Sequence, residues 1–486
     1  MKKAITKFFH AHSLIVLSIV YLLSRLINLT KLPIFNDEAI YLDWGWKSLH
    51  TNAGLFYSLY DAKPPFLIWI FGIFESVIQS PLFMGRLVSV IAGLLTLIGI
   101  YKVAKSLGGE KLAILSSAFY TVIPLFVFFD RQALMESAIT ASGIWSFYFL
   151  LQTIETKKTK YSVFLGLALG IGIFIKLQAL VFLVSIILIF IYKRLFKPVA
   201  IVIGASLVTL SPLLFQNAFW ASFNSNNRFM LSVPELLGFP FALWGKNFLT
   251  TLDVSFFHLT PLVFLPAIYG TYLFLKTKKQ ILPVFFLINI IFIIFLGRSL
   301  NPRYIIAFLG LIPILCSYAI LSFKKNPVIL VGSAIAILPA VMTTLLIFSH
   351  PTYFNILDKF TTNSQKEGYM NDWTSGYGIP ETVNFLNDQS RDTPIIVGVR
   401  LDAGNPESAM FAYFNGSDKI FPKYLDLRLM DPSVINSKCL NSQIPVYFVA
   451  RDGMLNGLDK FFQEDVRFYK PGGEHFISID TLKSCN

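Results

Sequence analysis

Long runs of apolar residues, broken by short polar segments, make up most of the chain. At about 20 residues per membrane span, these runs predict about eleven transmembrane helices, near 13–29, 84–101, 112–130, 133–151, 161–176, 178–192, 199–216, 255–275, 281–297, 304–322 and 328–349. A further apolar piece, 66–79, is short and carries Glu75. The pattern is typical of a polytopic α-helical membrane protein.

Basic clusters set the expected orientation of these spans. Clusters of Lys and Arg are typical of cytoplasmic loops, and they lie at 2–7, 102–111, 157–160, 193–197, 276–279 and 324–325. They fall at every second boundary only if 66–79 is not a full crossing. We therefore interpret 66–79 as interfacial or re-entrant and the first apolar run as a retained signal anchor, with the N-terminus inside.

With the N-terminus inside and 66–79 not crossing, four segments lie on the outer side. They are the loop 30–83, the turn 130–132, the loop 217–254 and everything after about 350. We expect a transmembrane domain, 1–350, with its long first outer loop at 30–83, and a soluble extracytoplasmic domain, 351–486.

The second domain has the pattern of a small α/β fold. Apolar runs at 394–399 and 445–449 predict buried strands. A helix is predicted from Ile379 to about 388, with Pro380 in its first turn. Further helices are expected near 406–414 and 457–463.

Composition supports a membrane protein and narrows its partners. The 486 residues are 55% hydrophobic, with a mean hydropathy of +0.62. The net charge of +13 lies in small clusters between apolar runs, so we expect no nucleic-acid partner. Three cysteines are too few for a disulfide scaffold. Cys316 lies in an apolar run and is expected to be buried, whereas Cys439 and Cys485 could pair in an oxidising compartment.

Charged side chains of both signs collect at the predicted outer ends of the spans and in the first outer loop. Ionisable groups in lipid are costly and tend to be functional. The alternative for any one of them is an ordinary loop charge or a side chain that snorkels to water. Because the whole set meets one face, we favour a cavity that opens outward. Its members are Asp37, Glu38, Asp43, Asp61, Lys63, Asp130, Arg131, Glu136, Lys176, Arg298 and Arg303.

Four short motifs follow one another in the predicted outer segments: Asp37-Glu38-Ala39-Ile40-Tyr41, Lys63-Pro64-Pro65, Arg131 through Glu136, and Pro302-Arg303-Tyr304. In their order and spacing the chain resembles membrane glycosyltransferases of the GT-C fold. Within these it resembles the superfamily of dolichyl-phosphate-mannose protein mannosyltransferases and aminoarabinose lipid A transferases. Gly376-Tyr377-Gly378 is similar to the bacterial members. The resemblance covers roughly residues 1–350 well and the C-terminal domain loosely.

The resemblance implies an inverting transferase that moves a sugar from a polyprenyl-phosphate-linked donor to a lipid, glycan or protein acceptor at the outer face of the membrane. Asp37 matches the family's catalytic acid and would be the general base. A carboxyl group near an interface can have a raised pKa, which suits a base. Glu38 and Glu136 would complete the catalytic set. Glu136 stands where many relatives have Asp, and it would position the acceptor or orient Arg131.

The donor's phosphate needs cations if it is to leave, and Arg forms forked contacts with phosphate. The resemblance assigns this work to Lys63, Arg131 and Arg303, with Arg298 as a further candidate, and substrate positioning to Tyr41 and Tyr304. It implies no firm cofactor and no metal ligand, while a divalent cation stays open.

There are two alternatives to a glycosyltransferase. A secondary transporter would show repeats and ionisable groups near the membrane midplane, and the sequence has few mid-span charges and no visible repeat. A relative that binds polyprenyl lipid without catalysis is the second alternative.

Overall fold

A computed structural model describes residues 2–78, 80–225, 229–277, 279–323, 328–426 and 444–483 of the chain. The chain forms two compact units. Unit 1 consists of Met1–Asn28, Phe56–Leu67 and Arg86–Asn363. Unit 2 consists of Leu29–Leu55, Ile68–Gly85 and Ser364–Asn486, so two segments of the predicted first outer loop cluster with the C-terminal residues.

Helices account for most of the described residues up to Asp358, and two further α-helices follow. In chain order they are α1 (Lys2–Leu26), α2 (Asn36–His50), α3 (Phe66–Glu75), α4 (Pro81–Val122), α5 (Pro124–Asp130), α6 (Glu136–Thr156), α7 (Thr159–Ile175), α8 (Leu180–Tyr192), α9 (Phe196–Leu214), α10 (Asn217–Ser225), α11 (Val233–Leu237), α12 (Phe241–Phe257), α13 (Pro261–Leu275), α14 (Ile281–Leu296), α15 (Pro302–Leu309), α16 (Ile312–Ser322), α17 (Val328–Phe348), α18 (His350–Asp358), α19 (Ile379–Gln389) and α20 (Glu407–Phe414).

The predicted count of about eleven spans is not confirmed. Among the described residues, two helices, α4 and α9, are long and apolar enough to cross a membrane. Counting each of the bent pairs α12–α13 and α15–α16 as one span raises the number to four. Several other apolar helices have 10–17 residues, including α3. At about 1.5 Å per residue, the ten residues of α3 cover half of the hydrocarbon thickness.

Small residues bring the helices of unit 1 into close contact. On α7, a Cβ added to Gly166 would lie 2.6 Å from the Val202 carbonyl oxygen of α9, and one added to Gly170 would lie 2.6 Å from Thr209. The Ser206 hydroxyl donates to the Gly166 carbonyl at 2.9 Å. Glycine at four-residue spacing lets two helix backbones approach each other, which favours helix association in lipid. Gly166 and Gly170 therefore allow the close contact between α7 and α9.

A five-stranded sheet forms the centre of unit 2. Its strands are β1 (Ile395–Val399), β2 (Ile420–Tyr424), β3 (Val446–Arg451), β4 (Phe462–Tyr469) and β5 (Phe476–Leu482), in the spatial order β2-β1-β3-β5-β4. The β1 strand pairs in parallel with β2 and β3, and β5 pairs antiparallel with β3 and β4. Helix α20 packs on β1 and β2, and α2 packs against α20.

The predicted α/β pattern is confirmed for both predicted strands, which are β1 and β3, and for the helices α19 and α20. The predicted helix 457–463 is wrong, because turns lead into β4 there. Asn456 and Gly457 have φ values of 49° and 86°, which a right-handed helix does not accept. Cys316 is buried as predicted, and the proposed pair Cys439 and Cys485 lies outside the described residues.

Candidate active site

A buried carboxylate holds two cations together in unit 1. Glu136 is the first residue of α6 and is fully buried. Its Oε1 atom lies 3.0 Å from Lys176 Nζ and 3.3 Å from Arg303 Nε. Its Oε2 atom is buried and has no hydrogen-bond partner among the described residues. Lys176 and Arg303, both positively charged, therefore contact the same oxygen of Glu136, and they leave its other oxygen free to accept a hydrogen bond.

Lys63 extends this group of cations through aromatic rings. The positive charges of Lys63 and Lys176 repel each other. Lys63 Nζ lies 4.9 Å from the ring centroid of Phe229, and Lys176 Nζ lies 4.8 Å from that of Tyr304. The two rings are 5.9 Å apart. Cation–π attraction of this kind holds the two ammonium groups beside the rings. We call Lys63, Lys176 and Arg303 the cation cluster.

Local sequence explains how each cation is held. Lys63 donates its N–H to the Ser58 carbonyl at 3.2 Å and accepts from the Ser58 hydroxyl at 2.8 Å, before the buried Pro64-Pro65. Arg303 lies in the first turn of α15, where the Asn301 side chain caps the helix at 3.0 Å from the Arg303 nitrogen. Lys176 follows the last residue of α7. Helix ends therefore fix both residues that contact Glu136.

The other two predicted phosphate ligands have partners elsewhere. The Arg131 guanidinium donates to four carbonyls at the end of α1 and just beyond it, those of Ser24, Arg25, Ile27 and Asn28, at 2.6–3.2 Å. Arg298 Nη2 lies 2.8 Å from both carboxylate oxygens of Glu235. Glu136, one of whose predicted roles was to orient Arg131, instead pairs with Lys176 and Arg303.

Asp37 lies in unit 2, as the second residue of α2, and is half-buried. The Asn36 side chain donates to its Oδ1 atom at 3.3 Å. Glu38 is fully buried, and its Oε2 atom accepts the N–H of Phe35 at 2.9 Å. An acid at this position satisfies a free N–H group at the start of the helix. Glu38 therefore caps α2.

Two further residues of α2 face the interior of unit 2. Tyr41, a predicted substrate-positioning residue, is 3% exposed. Asp43 is buried and accepts from Lys47 Nζ at 2.7 Å and from the Asn415 amide at 3.3 Å. Burial raises the pKa of Asp43, and the charge of Lys47 opposes this. Lys47 in turn lies over the Phe411 ring of α20, at 4.2 Å from its centroid.

C-terminal residues hold the turn that leads into α2. The Thr374 carbonyl accepts the N–H of Asn36 at 3.0 Å, and the Asn405 side chain donates to the Thr374 and Ile34 carbonyls at 3.1 and 3.0 Å. Lys470 donates to three carbonyls of the segment 372–375. Burial lowers the pKa of Lys470 to about 8. Unit 2 therefore fixes the backbone on which Asp37 is mounted.

A second buried ion pair supports unit 1. Arg25 Nη2 lies 3.1 Å from Asp130, and both side chains are buried. Asp130 also accepts from the hydroxyls of Tyr120 and Ser137 at 3.1 and 2.8 Å. Every group here has a partner, which fits a structural role.

Lys176 is the member of the cation cluster that the predicted set of site residues missed. The signal was present, because a lone lysine at the predicted outer end of an apolar run departs from the positive-inside pattern. No local sequence pattern predicted a role for Asn36 or Asn405, because they contact each other across more than 360 residues of the chain. In the part of the chain that the structure describes, no group of three or more His, Cys, Asp or Glu side chains could hold a metal ion.

Comparisons with known proteins bear on the fold. Residues 62–220 match the family described as dolichyl-phosphate-mannose-protein mannosyltransferase. No curated protein is significantly similar in sequence.

Among solved structures, ArnT from Cupriavidus metallidurans bound to undecaprenyl phosphate is 15% identical, with a TM-score of 0.59 over 96% of this chain and 98% of that one. The oligosaccharyltransferase of Archaeoglobus fulgidus, in complex with Zn and sulfate, is 12% identical, with a TM-score of 0.54 over 95% of this chain and 72% of that one. The predicted resemblance is thus confirmed: residues 62–220 match a mannosyltransferase family, and the chain has the GT-C fold of ArnT and the archaeal oligosaccharyltransferase.

Proposed function

We propose that this protein is an inverting glycosyltransferase that moves a sugar from a polyprenyl-phosphate-linked donor to an acceptor at the outer face of the membrane. The observation that carries the proposal is the cation cluster around the buried Glu136 carboxylate. The fold and the family match of residues 62–220 support the same class of reaction. The acceptor is a lipid, a glycan or a protein hydroxyl or phosphate.

The charge of the cluster suits the leaving group. Three cations, Lys63, Lys176 and Arg303, and one carboxylate, Glu136, sum to a charge of +2. A sugar-linked phosphodiester carries one negative charge, and the phosphate monoester that leaves carries nearly two at neutral pH. The cluster therefore stabilises the products and the transition state more than the donor. Interactions that strengthen along the reaction are those that accelerate it.

Glu136 has a defined role in this mechanism. Without its carboxylate, Lys176 and Arg303 would repel each other, and the site would open before the donor arrived. With it, both cations stay near a single oxygen, and the N-terminus of α15 adds its own preference for an anion. Arg131 and Arg298 are not part of the proposed phosphate site. Arg131 already donates to backbone carbonyl groups, and Arg298 already pairs with Glu235.

In the proposed step, an acceptor oxygen attacks the anomeric carbon. The new bond forms as the bond from that carbon to the phosphate oxygen breaks, and the configuration inverts. The acceptor's proton goes to Asp37, and polyprenyl phosphate leaves with the bonding electron pair. Asp37 is the base in this proposal because it is half-buried, is mounted on a fixed turn and matches the family's acid.

The test uses the purified full chain in lipid nanodiscs. A panel of undecaprenyl-phosphate-linked hexoses and pentoses is supplied with membrane extract as the source of acceptor, and mass spectrometry measures release of undecaprenyl phosphate. We expect release with one class of sugar and a matching gain of mass in the acceptor fraction.

Asp37→Asn keeps the shape of the side chain and removes the base, so we expect it to bind undecaprenyl phosphate but to release none from the donor. Near-normal turnover by this variant would remove Asp37 from the mechanism. Binding without transfer by the native protein would favour a non-catalytic lipid-binding protein, and movement of intact donor across a vesicle membrane would favour a transporter.

A further inference from the structure

Asn36 lies between the proposed base and the C-terminal part of unit 2. Its side chain is 7% exposed. The amide nitrogen, Nδ2, donates to Asp37 Oδ1 at 3.3 Å. The amide oxygen, Oδ1, accepts the backbone N–H of Asn405 at 3.0 Å. One side chain thus joins the carboxylate of Asp37 to a backbone group more than 360 residues away in sequence.

The partner of Asn36 determines which end of its amide faces Asp37. A backbone N–H can only donate, so the atom that faces Asn405 must be the oxygen. The nitrogen is therefore turned toward Asp37, where it donates a hydrogen bond to the carboxylate. A hydrogen bond to the charged form of an acid stabilises that form and fixes its orientation. The hydrogen bond from the Asn405 N–H thereby determines that Asn36 donates to Asp37.

Close packing leaves this arrangement little freedom. A Cβ on Gly404 would lie 1.9 Å from Asn36 Oδ1, and one on Gly376 would lie 1.9 Å from the Ile34 carbonyl oxygen. Gly404 has a φ of 107°, which a side chain would also disfavour. Asn405 is fully buried, and its amide donates to the Ile34 carbonyl at 3.0 Å. Only glycine fits at 376 and 404 without moving the turn.

We propose that Asn36 is a positioning residue that orients the Asp37 carboxylate, and that the turn Gly404-Asn405 fixes the orientation of Asn36. This inference rests on the proposed function, in which Asp37 is the base. It links the C-terminal part of unit 2 to catalysis through Asn36 and Asp37.

The other charged groups on the packed elements have partners of their own. On α2, Glu38 accepts from Phe35, and Asp43 pairs with Lys47. On α20, the buried Glu407 pairs with Arg400 and Arg451. A carboxylate placed at position 36 would therefore be a new charge facing Asp37.

The test compares Asn36→Asp with the native chain, using the undecaprenyl-phosphate-linked sugar that turns over. The new oxygen still accepts from Asn405, but the group facing Asp37 becomes an acid. We expect kcat at neutral pH to fall by about 10- to 100-fold. The acidic limb of the pH–rate profile should move up by about one pH unit, because adjacent carboxylates resist ionising together. KM for the donor should change by less than about twofold, since the cation cluster is untouched.

Asn384→Asp is the matched control, because it makes the same change at an exposed position of α19. It should retain native kcat and the native pH profile. Gly404→Ala is a second variant that adds no charge and displaces Asn36, and it should lower kcat with little change in KM. Thermal unfolding in detergent shows whether each variant folds.

The outcomes separate the two proposals. If Asp37→Asn is inactive while Asn36→Asp and Gly404→Ala keep native kcat and pH dependence, the positioning role is wrong and the base stands. If Asp37→Asn is active, the base itself is wrong. A readout without turnover is the structure of Gly404→Ala: an Asp37 side chain that keeps its native rotamer there would also overturn the inference.

Discussion

Lys176→Met is the sharpest test of the cation cluster. Methionine has a similar length and no charge, so the substitution removes the ammonium and leaves the packing of the α7 end nearly unchanged. Lys176 Nζ lies 3.0 Å from Glu136 and 4.8 Å from the Tyr304 ring centroid, and its side chain is 20% exposed. Glu136 keeps its contact with Arg303 at 3.3 Å in the variant, so the carboxylate is not left alone.

The expected loss of affinity follows from the charge that is removed. At an effective dielectric constant of about 20, two unit charges about 4 Å apart interact by about 4 kcal/mol before desolvation is counted. The net contribution of a hydrogen bond to a charged group is about 1.5–3 kcal/mol. The Kd for undecaprenyl phosphate should therefore rise by about 10- to 150-fold. The loss should be larger for this product than for the singly charged donor.

Binding is measured by titrating undecaprenyl phosphate into detergent-solubilised protein and following microscale thermophoresis. Lys160→Met is the control, because Lys160 is an exposed lysine at the other end of the same helix. It changes the net charge equally and should leave Kd unchanged. A folded Lys176→Met protein with a Kd within twofold of the native value would refute the assignment of the phosphate site.

Three more predictions follow from the same geometry. Arg303→Lys keeps the charge but loses the planar fork, so undecaprenyl phosphate should bind about tenfold more weakly; equal affinity in the same titration would show that the fork is not used. Arg131→Met should destabilise the protein by on the order of 3 kcal/mol, because the carbonyls around the end of α1 lose their donor. Its thermal unfolding temperature should fall while the Kd of the folded protein stays native, and the reverse result would return Arg131 to the phosphate site. Asn52→Cys, exposed just after α2, should react with a membrane-impermeant maleimide on intact cells when the three native cysteines are replaced by serine; labelling only after permeabilisation would contradict the outer location.

Local patterns predicted the elements whose formation depends on near neighbours. Apolar runs marked the positions of helices such as α9 and α14, since burial in lipid needs only a continuous apolar surface. The strands β1 and β3 were visible because each is a short apolar run between breakers. The edge strands β2 and β4 were missed, because only the first residue of each is buried and no continuous apolar run marks them. The predicted helix 457–463 failed at Gly457, where a positive φ turns the chain into β4.

In the candidate site, too, local patterns predicted some features and missed others. The motifs predicted site roles for Asp37, Lys63, Glu136 and Arg303 by residue type and order. Lys176 was noted as an outer charge but was not assigned to the site. No local pattern could state that Glu136 contacts Lys176, 40 residues away, and Arg303, 167 residues away, because those contacts exist only after helix ends meet.

The amino-acid sequence alone indicated a membrane protein with a small α/β part and a set of charged motifs like those of GT-C glycosyltransferases. Which of those charges are partners depends on contacts between distant segments. Arg131 binds the carbonyls at the end of α1, Arg298 binds Glu235 and Glu38 binds the start of α2. Lys176 and Arg303 contact Glu136, and the charge of Lys63 reaches Lys176. The physical reason is that a buried charge must find an opposite charge or a hydrogen-bonding group, and the packing of distant segments supplies it.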